Sequence, residues 1–191
     1  GLVSERGDPL GFGGLCALLF FDFALTGAVL LAWVKLVERR PLTTLGLVGE
    51  RPGRGFLGGL GVGLATSTLV VAAIGLAGGY TAGELLPAWT SPAALLRVAI
   101  LLAGFAVQSS VEEILFRGWL MSALARKLNL VLAVVLTSTV FMLLHYSPHQ
   151  AWDLMLGTFL FSLFACAWAL RSGHIWGVMG WHTGWNWLIA V

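Results

Sequence analysis

Three short motifs place ionisable or strongly polar side chains inside segments that are otherwise apolar. They are Glu-Glu-Ile-Leu-Phe-Arg at 112–117, Phe-Met-Leu-Leu-His at 141–145 and His-Thr-Gly-Trp-Asn at 182–186. Charged groups inside a bilayer are costly and are by default interpreted as functional. The motifs therefore predict an active site within a membrane.

The first motif divides its two carboxylates between two tasks. Glu113 and Arg117 are four residues apart and share one face of a helix. Glu112 is displaced from Glu113 by about 100° around the helix axis. We therefore predict a supporting ion pair between Glu113 and Arg117, and we assign Glu112 to the chemistry as a general base. The alternative is a polar helix contact without chemistry.

The second motif is predicted to bring His145 to the membrane depth of Glu112. Glu112 lies 16 residues before Leu128 in the turn between two apolar segments, and His145 lies 17 residues after it. In an antiparallel helical hairpin these arms are about equal, at roughly 24–26 Å. The matched lengths favour a site residue over the alternative, a histidine at the membrane interface.

The third motif supplies His182 and Asn186, which are four residues apart and share a helix face. Trp181, Trp185 and Trp187 flank them, and tryptophan is enriched at membrane interfaces. An aromatic belt with two incidental polar residues is therefore the alternative. As site residues, the pair would offer N–H donors to an oxyanion.

Together these groups suffice for hydrolysis of a peptide bond. Glu112 would remove a proton from water, which attacks the carbonyl, and we predict that no cofactor is required. The rival is zinc held by Glu112, His145 and His182, because two histidines and one glutamate form a known catalytic zinc set. The spacing neither requires nor excludes that metal. A serine mechanism through Ser109 or Ser110 is favoured less, because no matching Ser–His or Ser–Lys spacing is present.

The elements that position these residues are predicted to be membrane-spanning helices. The 191-residue chain is 58% hydrophobic and 10% charged, whereas soluble domains average about 25% charged residues. Six apolar segments approach the roughly 20 residues that a spanning helix needs. They lie at about 10–35, 56–79, 93–120, 129–146, 153–170 and 174–191. We predict an all-α bundle of about six membrane helices, in one domain over 1–191 with its catalytic core at about 93–191.

Charge, glycine and cysteine residues add four expectations. Lys and Arg fall in the first, third and fifth connections, which predicts that these face the cytoplasm and that the N-terminus lies outside. The net charge of +2 gives no reason to expect nucleic acid. Gly59 and Gly63 form a GxxxG pair that permits close helix contact. Cys16 and Cys166 lie in apolar segments and are predicted to be free thiols.

The order EExxxR, FxxxH and HxxxN on successive apolar segments resembles the CPBP family of intramembrane proteases. That family comprises CAAX prenyl endopeptidases, including the eukaryotic Ras-converting endopeptidase, with bacteriocin-processing and abortive-infection-like membrane proteins. All three motifs match in order over roughly 93–191, and Thr-Leu-Gly-Leu at 44–47 is similar to the family's upstream region.

The resemblance implies a glutamate-dependent endopeptidase acting near the membrane-anchored or C-terminal end of a protein substrate. Glu112 would activate water, His145 would help to hold it, and His182 with Asn186 would form the oxyanion site. The supporting pair would be Glu113 and Arg117. The resemblance favours a mechanism without an obligatory metal.

Two interpretations without proteolysis remain. A bacteriocin-immunity or adaptor protein would keep the polar layer for helix association alone. A transporter would use the carboxylates and histidines as a proton relay, although no inverted repeat or pair of interrupted helices is evident. Asp22 is an isolated acid in the first segment, and Gln108 is a candidate supporting group one turn before Glu112. The expected location is a bacterial cytoplasmic membrane, with the lipid bilayer and a membrane-anchored protein or peptide as partners.

Overall fold

A computed structural model of the chain describes residues 2, 4, 9–79, 91–146 and 152–191. These ranges contain six helices of 15 residues or more, together with a short 3-10 helix at Leu42–Leu45. The six helices are α1 (Gly11–Val37), α2 (Pro52–Leu76), α3 (Pro92–Ala125), α4 (Leu130–Leu144), α5 (Trp152–Ser172) and α6 (Trp176–Ala190). The bounds of each helix lie close to the bounds of one of the apolar segments predicted above, so the all-α prediction is confirmed.

Four of the six helices are long and apolar enough to cross a membrane, namely α1, α2, α3 and α5. The chain is therefore a polytopic helical membrane protein. The helices α4 and α6 have 15 residues each, which corresponds to a length of about 22 Å. For α4 that is shorter than the roughly 30 Å hydrocarbon core, so this segment is shorter than the full span predicted for it.

Local sequence explains where several helices begin. Pro52 and Pro92 occupy the first turns of α2 and α3, where the missing N–H costs nothing because it would have no partner in the helix. The Ser91 side chain accepts a hydrogen bond of 3.3 Å from the backbone N–H three residues on. Asn129 does the same for α4 at 2.9 Å. These caps replace the missing helical acceptors of the first turns.

The helix α3 changes its winding within the first motif, after Glu113. Residues Ile114–Leu120 are π-helical and follow Glu112 and Glu113 directly. A π turn is wider than an α turn and is frequent at functional sites. The residues after Glu113 therefore lie at different angles around the helix axis, relative to the two glutamates, from those that regular α-helical spacing predicts.

Glycines allow α2 and α6 to pack closely. A Cβ atom at Gly59 would collide with the backbone oxygen of Gly177, and one at Gly63 would collide with the backbone of Trp181. This is the close contact expected of a GxxxG pair. It fixes the position of α6, the helix that carries His182.

The connections that carry basic residues lie at one end of the bundle. The backbone N–H of Ile175, before α6, donates to the carbonyl of Gly46 in the first connection at 3.2 Å. Glu38 in the same connection accepts a bond of 2.7 Å from Trp119 near the end of α3. The predicted alternation of connections with and without basic residues requires this arrangement. The cytoplasmic orientation stays a prediction. The second and fourth connections lie largely outside the described residues.

The main apolar cluster packs at this end of the bundle and joins α1 to α6. Val34 of α1, Leu45 of the first connection and Val178 of α6 are each fully buried in it. Between membrane helices such a cluster is stabilised by close van der Waals packing. The cluster therefore holds the polar face of α6 in a fixed position against α3.

Candidate active site

The helices α3 and α6 bring most of the predicted residues together in the bundle interior. Glu113 is fully buried, Arg117 and His182 are each 2% exposed, and Glu112 is 8% exposed. Asn186 is partly buried beside them. Three ionisable groups with almost no solvent contact require partners in the protein, because unpaired buried charge is strongly destabilising.

Glu113 is the centre of this cluster. Its Oε1 accepts a hydrogen bond of 3.1 Å from Arg117 Nη1, so the predicted ion pair is present. The same oxygen lies 2.7 Å from Nδ1 of His182. An ionised carboxylate only accepts hydrogen bonds, which assigns a proton to Nδ1. Glu113 therefore also orients the histidine ring.

Arg117 ties the cluster to a third helix. Its Nη2 donates to the Ser162 hydroxyl oxygen of α5 at 2.9 Å and to the Ser162 carbonyl at 3.3 Å. Its guanidinium also lies over the Phe141 ring of α4, 4.6 Å from the ring centroid. Arg117 thereby contacts α3, α4 and α5 and holds Glu113 in register with them.

The two oxygens of Glu112 have different surroundings. Oε1 accepts a hydrogen bond of 2.5 Å from Nε2 of Gln108. Oε2 is buried and has no hydrogen-bond partner in the part of the chain that the structure describes. It lies 3.7 Å from Nε2 of His182, the nitrogen that Glu113 leaves available. A carboxylate oxygen able to take a proton thus faces an imidazole nitrogen.

Gln108 connects the two predicted halves of the site. Its Oε1 accepts from Nδ2 of Asn186 at 3.1 Å and from the Ser109 hydroxyl at 3.2 Å. Ser109 is therefore a donor to an amide, and it is not bonded to a histidine or lysine of the described residues. The hydrogen bonds run without interruption from Glu112 on α3 to Asn186 on α6.

Aromatic rings enclose the cluster. The Phe161 ring of α5 meets His182 nearly edge-on at a centroid distance of 4.9 Å. Phe141 of α4 lies 6.2 Å from the same imidazole. Apolar walls lower the local dielectric, which strengthens each polar contact inside them.

His145 lies at the rim of this arrangement. It directly follows the last residue of α4 and is exposed. Its Nδ1 is 2.8 Å from the Phe141 carbonyl oxygen, and its ring is 4.4 Å from the Phe141 ring. Phe141 itself packs against Phe116 at 4.9 Å, so His145 lies about one turn further, towards the level of Glu112. No contact between His145 and Glu112 occurs among the described residues.

The alternative zinc set is not assembled in the described ranges. No three His, Cys, Asp or Glu side chains in them converge as metal ligands. Glu112 and His182 approach each other, whereas His145 is turned towards its own helix. The residues present do not form a three-ligand site, and we derive no step through zinc.

Other candidate side chains lie elsewhere. Asp22 is exposed on the outer surface of α1, so it does not join the cluster. Both cysteines are free, as predicted, with Cys166 buried and Cys16 partly buried. Cys166 lies 3.9 Å from the Ser138 hydroxyl.

Sequence reasoning understated some contributors and missed others. Gln108 shares a helix face with Glu112 by its spacing of four, but nothing in the sequence links it to Asn186, 78 positions away. Ser162 and Phe161 gave no signal, because a serine and a phenylalanine in an apolar helix are ordinary. Only the packing of α5 against α3 and α6 identifies them as part of the site.

These features define a helical membrane protein with a buried carboxylate–histidine cluster between two helices. A family model described as Type II CAAX prenyl endopeptidase Rce1-like matches residues 89–188, which is just over half of the chain. The chain belongs to this family of membrane proteases. No curated protein and no solved structure matches the chain.

Proposed function

We propose that this protein is a glutamate-dependent intramembrane endopeptidase that cuts a protein substrate near its C-terminal or membrane-anchored end. The observation that carries the proposal is the approach of Glu112 Oε2 to His182 Nε2, 3.7 Å apart in a buried cluster. One oxygen of this carboxylate has no other hydrogen-bond partner among the described residues. A group of this kind is suited to take a proton from water.

The proposed reaction uses Glu112 of α3 as the base and two residues of α6 as donors. Glu112 removes a proton from water as the water oxygen bonds to the scissile carbonyl carbon. His182 and Asn186 donate N–H groups to the resulting oxyanion. Glu112 then gives the proton to the leaving amine as the carbon–nitrogen bond breaks. His145, at the rim, helps to hold the water, and Arg117 holds the Glu113 carboxylate in place.

An apolar cavity supports a membrane-anchored substrate. About 280 Å³ of space lies between α4 and α5, with an almost entirely apolar lining. The lining residues are Thr139, Met142, Trp152, Met155, Leu156 and Phe159. Met142 directly follows Phe141, which contacts Arg117 of the cluster. The cavity would accommodate an apolar part of a substrate between α4 and α5.

The decisive experiment compares wild type with Glu112→Gln in a bacterial host. New protein C-termini in membrane and released fractions are read by mass spectrometry. We expect termini that appear with wild type to disappear with Glu112→Gln, because losing a general base costs about 10²- to 10⁴-fold in rate. Asp22→Asn is the matched control, since it removes an intramembrane carboxylate outside the cluster, and it should cleave like wild type.

The alternatives give different results. Cleavage retained by Glu112→Gln would overturn the proposal. Identical termini with and without the protein would favour the adaptor or immunity interpretation. With purified protein, cleavage that survives chelation by EDTA and phenanthroline supports the metal-free mechanism, whereas loss that added zinc restores supports the zinc version.

A further inference from the structure

We infer that Gln108 is a positioning residue, which selects the oxygen of Glu112 that takes the proton and aims the amide of Asn186. The inference rests on the function proposed above. Gln108 is 7% exposed and lies one turn before Glu112 on α3. It is bonded at once to Glu112 and to Asn186.

The hydrogen-bond partners fix which way the Gln108 amide points. The Glu112 carboxylate only accepts, so it requires the NH₂ end, and the NH₂ group of Asn186 only donates, so it requires the carbonyl end. The Ser109 hydroxyl also points to that carbonyl, at 3.2 Å. A rotated amide would set oxygen against oxygen and NH₂ against NH₂. Only one orientation satisfies all three neighbours.

This orientation assigns the two oxygens of Glu112 to different tasks. Oε1 is occupied by the 2.5 Å bond from Gln108. Oε2 therefore remains as the base, on the side of His182 Nε2. A carboxylate held at one oxygen cannot rotate freely, which keeps the reacting oxygen in the geometry that the proton transfer needs.

The same amide also aims the oxyanion donor. One N–H of the Asn186 side chain is bonded to Gln108, which leaves the second N–H for the substrate. Because Gln108 lies on α3 and Asn186 on α6, a single side chain sets the spacing between base and donor. Its loss should affect the transition state more than substrate binding, since the geometry serves the reacting atoms.

Gln108→Met tests this role, because methionine has similar length but forms neither bond. The probe is a fluorogenic peptide with a farnesylated cysteine near its C-terminus, together with the C-terminal peptides identified in cells. We expect kcat to fall about 10- to 100-fold, as for a lost hydrogen bond to a charged group, with KM within about twofold. Gln108→Glu keeps an acceptor for Asn186 but sets a second carboxylate against Glu112, so it should fall at least as far.

A double-mutant cycle distinguishes positioning from general stability. Adding Gln108→Met to Asn186→Ala should cost less than it does in wild type, because the part of its effect that acts through Asn186 is already lost. Ser138→Ala is the matched control: it removes another buried polar group, whose contact is with Cys166. It should leave kcat unchanged. If Gln108→Met does not fold, Gln108→Asn replaces it in the test. Asparagine keeps the amide but is too short to bridge both partners.

Two outcomes would overturn the inference. If wild type cleaves and the Gln108 variants keep their kcat, or lose it additively with Asn186→Ala, Gln108 does not position Glu112 and Asn186 together, and the proposed function stands. If wild type cleaves neither the peptide nor any cellular protein, the proposed function fails and this inference fails with it.

Discussion

Two carboxylates, Glu113 and Glu38, have similar partners, and each accepts a hydrogen bond from a side chain of α3. Glu113 accepts from Arg117 and contacts His182 in the bundle interior. Glu38, at the end of α1, accepts at Oε1 from the indole N–H groups of Trp119 and Trp33, at 2.7 and 3.1 Å. It also pairs with a neighbouring arginine. Each is therefore a charged acceptor with an arginine and nitrogen-bearing rings around it.

The two clusters differ in their access to solvent. The side chains of Glu113 and Arg117 are 0% exposed, whereas those of Glu38 and its partner Arg40 are 20% and 18% exposed. Water can replace a lost partner at Glu38 but not at Glu113. The hydrogen bond from Trp119 is the main cause that lowers the pKa of Glu38, helped by Trp33 and Arg40 and opposed by partial burial. The edge cluster, which consists of Glu38 and its partners, therefore tolerates the loss of a partner. The interior cluster around Glu113 does not.

The largest expected effect comes from breaking the interior cluster. Arg117→Met removes the partner of a fully buried carboxylate, which typically costs about 3–5 kcal/mol. The equivalent change at the edge, Arg40→Met, removes a partly exposed pair and should cost less than about 1 kcal/mol. Unfolding in detergent, followed by circular dichroism, measures both.

The double variant Glu113→Gln/Arg117→Met sharpens this result. It removes the uncompensated charge, so it should recover part of the stability lost in Arg117→Met. Equal losses for Arg117→Met and Arg40→Met would show that solvent access does not separate the two clusters.

A smaller effect is expected from moving α6, the helix that contributes His182 to the interior cluster. Gly63→Ala adds a Cβ that collides with the backbone of Trp181. Such overpacking costs about 1–3 kcal/mol and should reduce cleavage by displacing His182. Gly61→Ala on the same helix is the control, because its Cβ meets nothing within 4 Å among the described residues. Thermal unfolding and cleavage by Gly63→Ala that match Gly61→Ala would contradict the close α2–α6 contact.

The sequence was sufficient for the helices and for the pairings within one helix. Apolar length located all six helical segments, and a spacing of four identified the ion pair of Glu113 and Arg117. Both signals are local, since they depend on residues a few positions apart. The bond between Glu113 and His182 spans 69 positions, and no local pattern encodes it.

The sequence was less informative about where side chains point and at which level of the bundle they lie. Equal hairpin arms predicted the level of His145, and its neighbour Phe141 packs at the level of Arg117. Arm length says nothing about where a side chain points, and the imidazole turns back to the Phe141 carbonyl. The winding change at Ile114–Leu120 is likewise invisible to regular α-helical counting. The catalytic roles of these residues stay predictions until the variants are measured.

The smallest expected effect, and the one that isolates the edge cluster, is the pH dependence of Glu38. Folding lowers its pKa from an ordinary value of 4.5, so its contribution to stability is present above that value and is lost as the pH falls through the folded pKa. Glu38→Gln should therefore melt at most a few degrees below wild type at pH 7, and this gap should close on acidification below pH 4.5. Glu50→Gln, at an exposed position, should follow wild type throughout. A gap of constant size across the acid range would mean that Glu38 acts through its shape, because a contribution from its charge must disappear when the carboxylate is protonated.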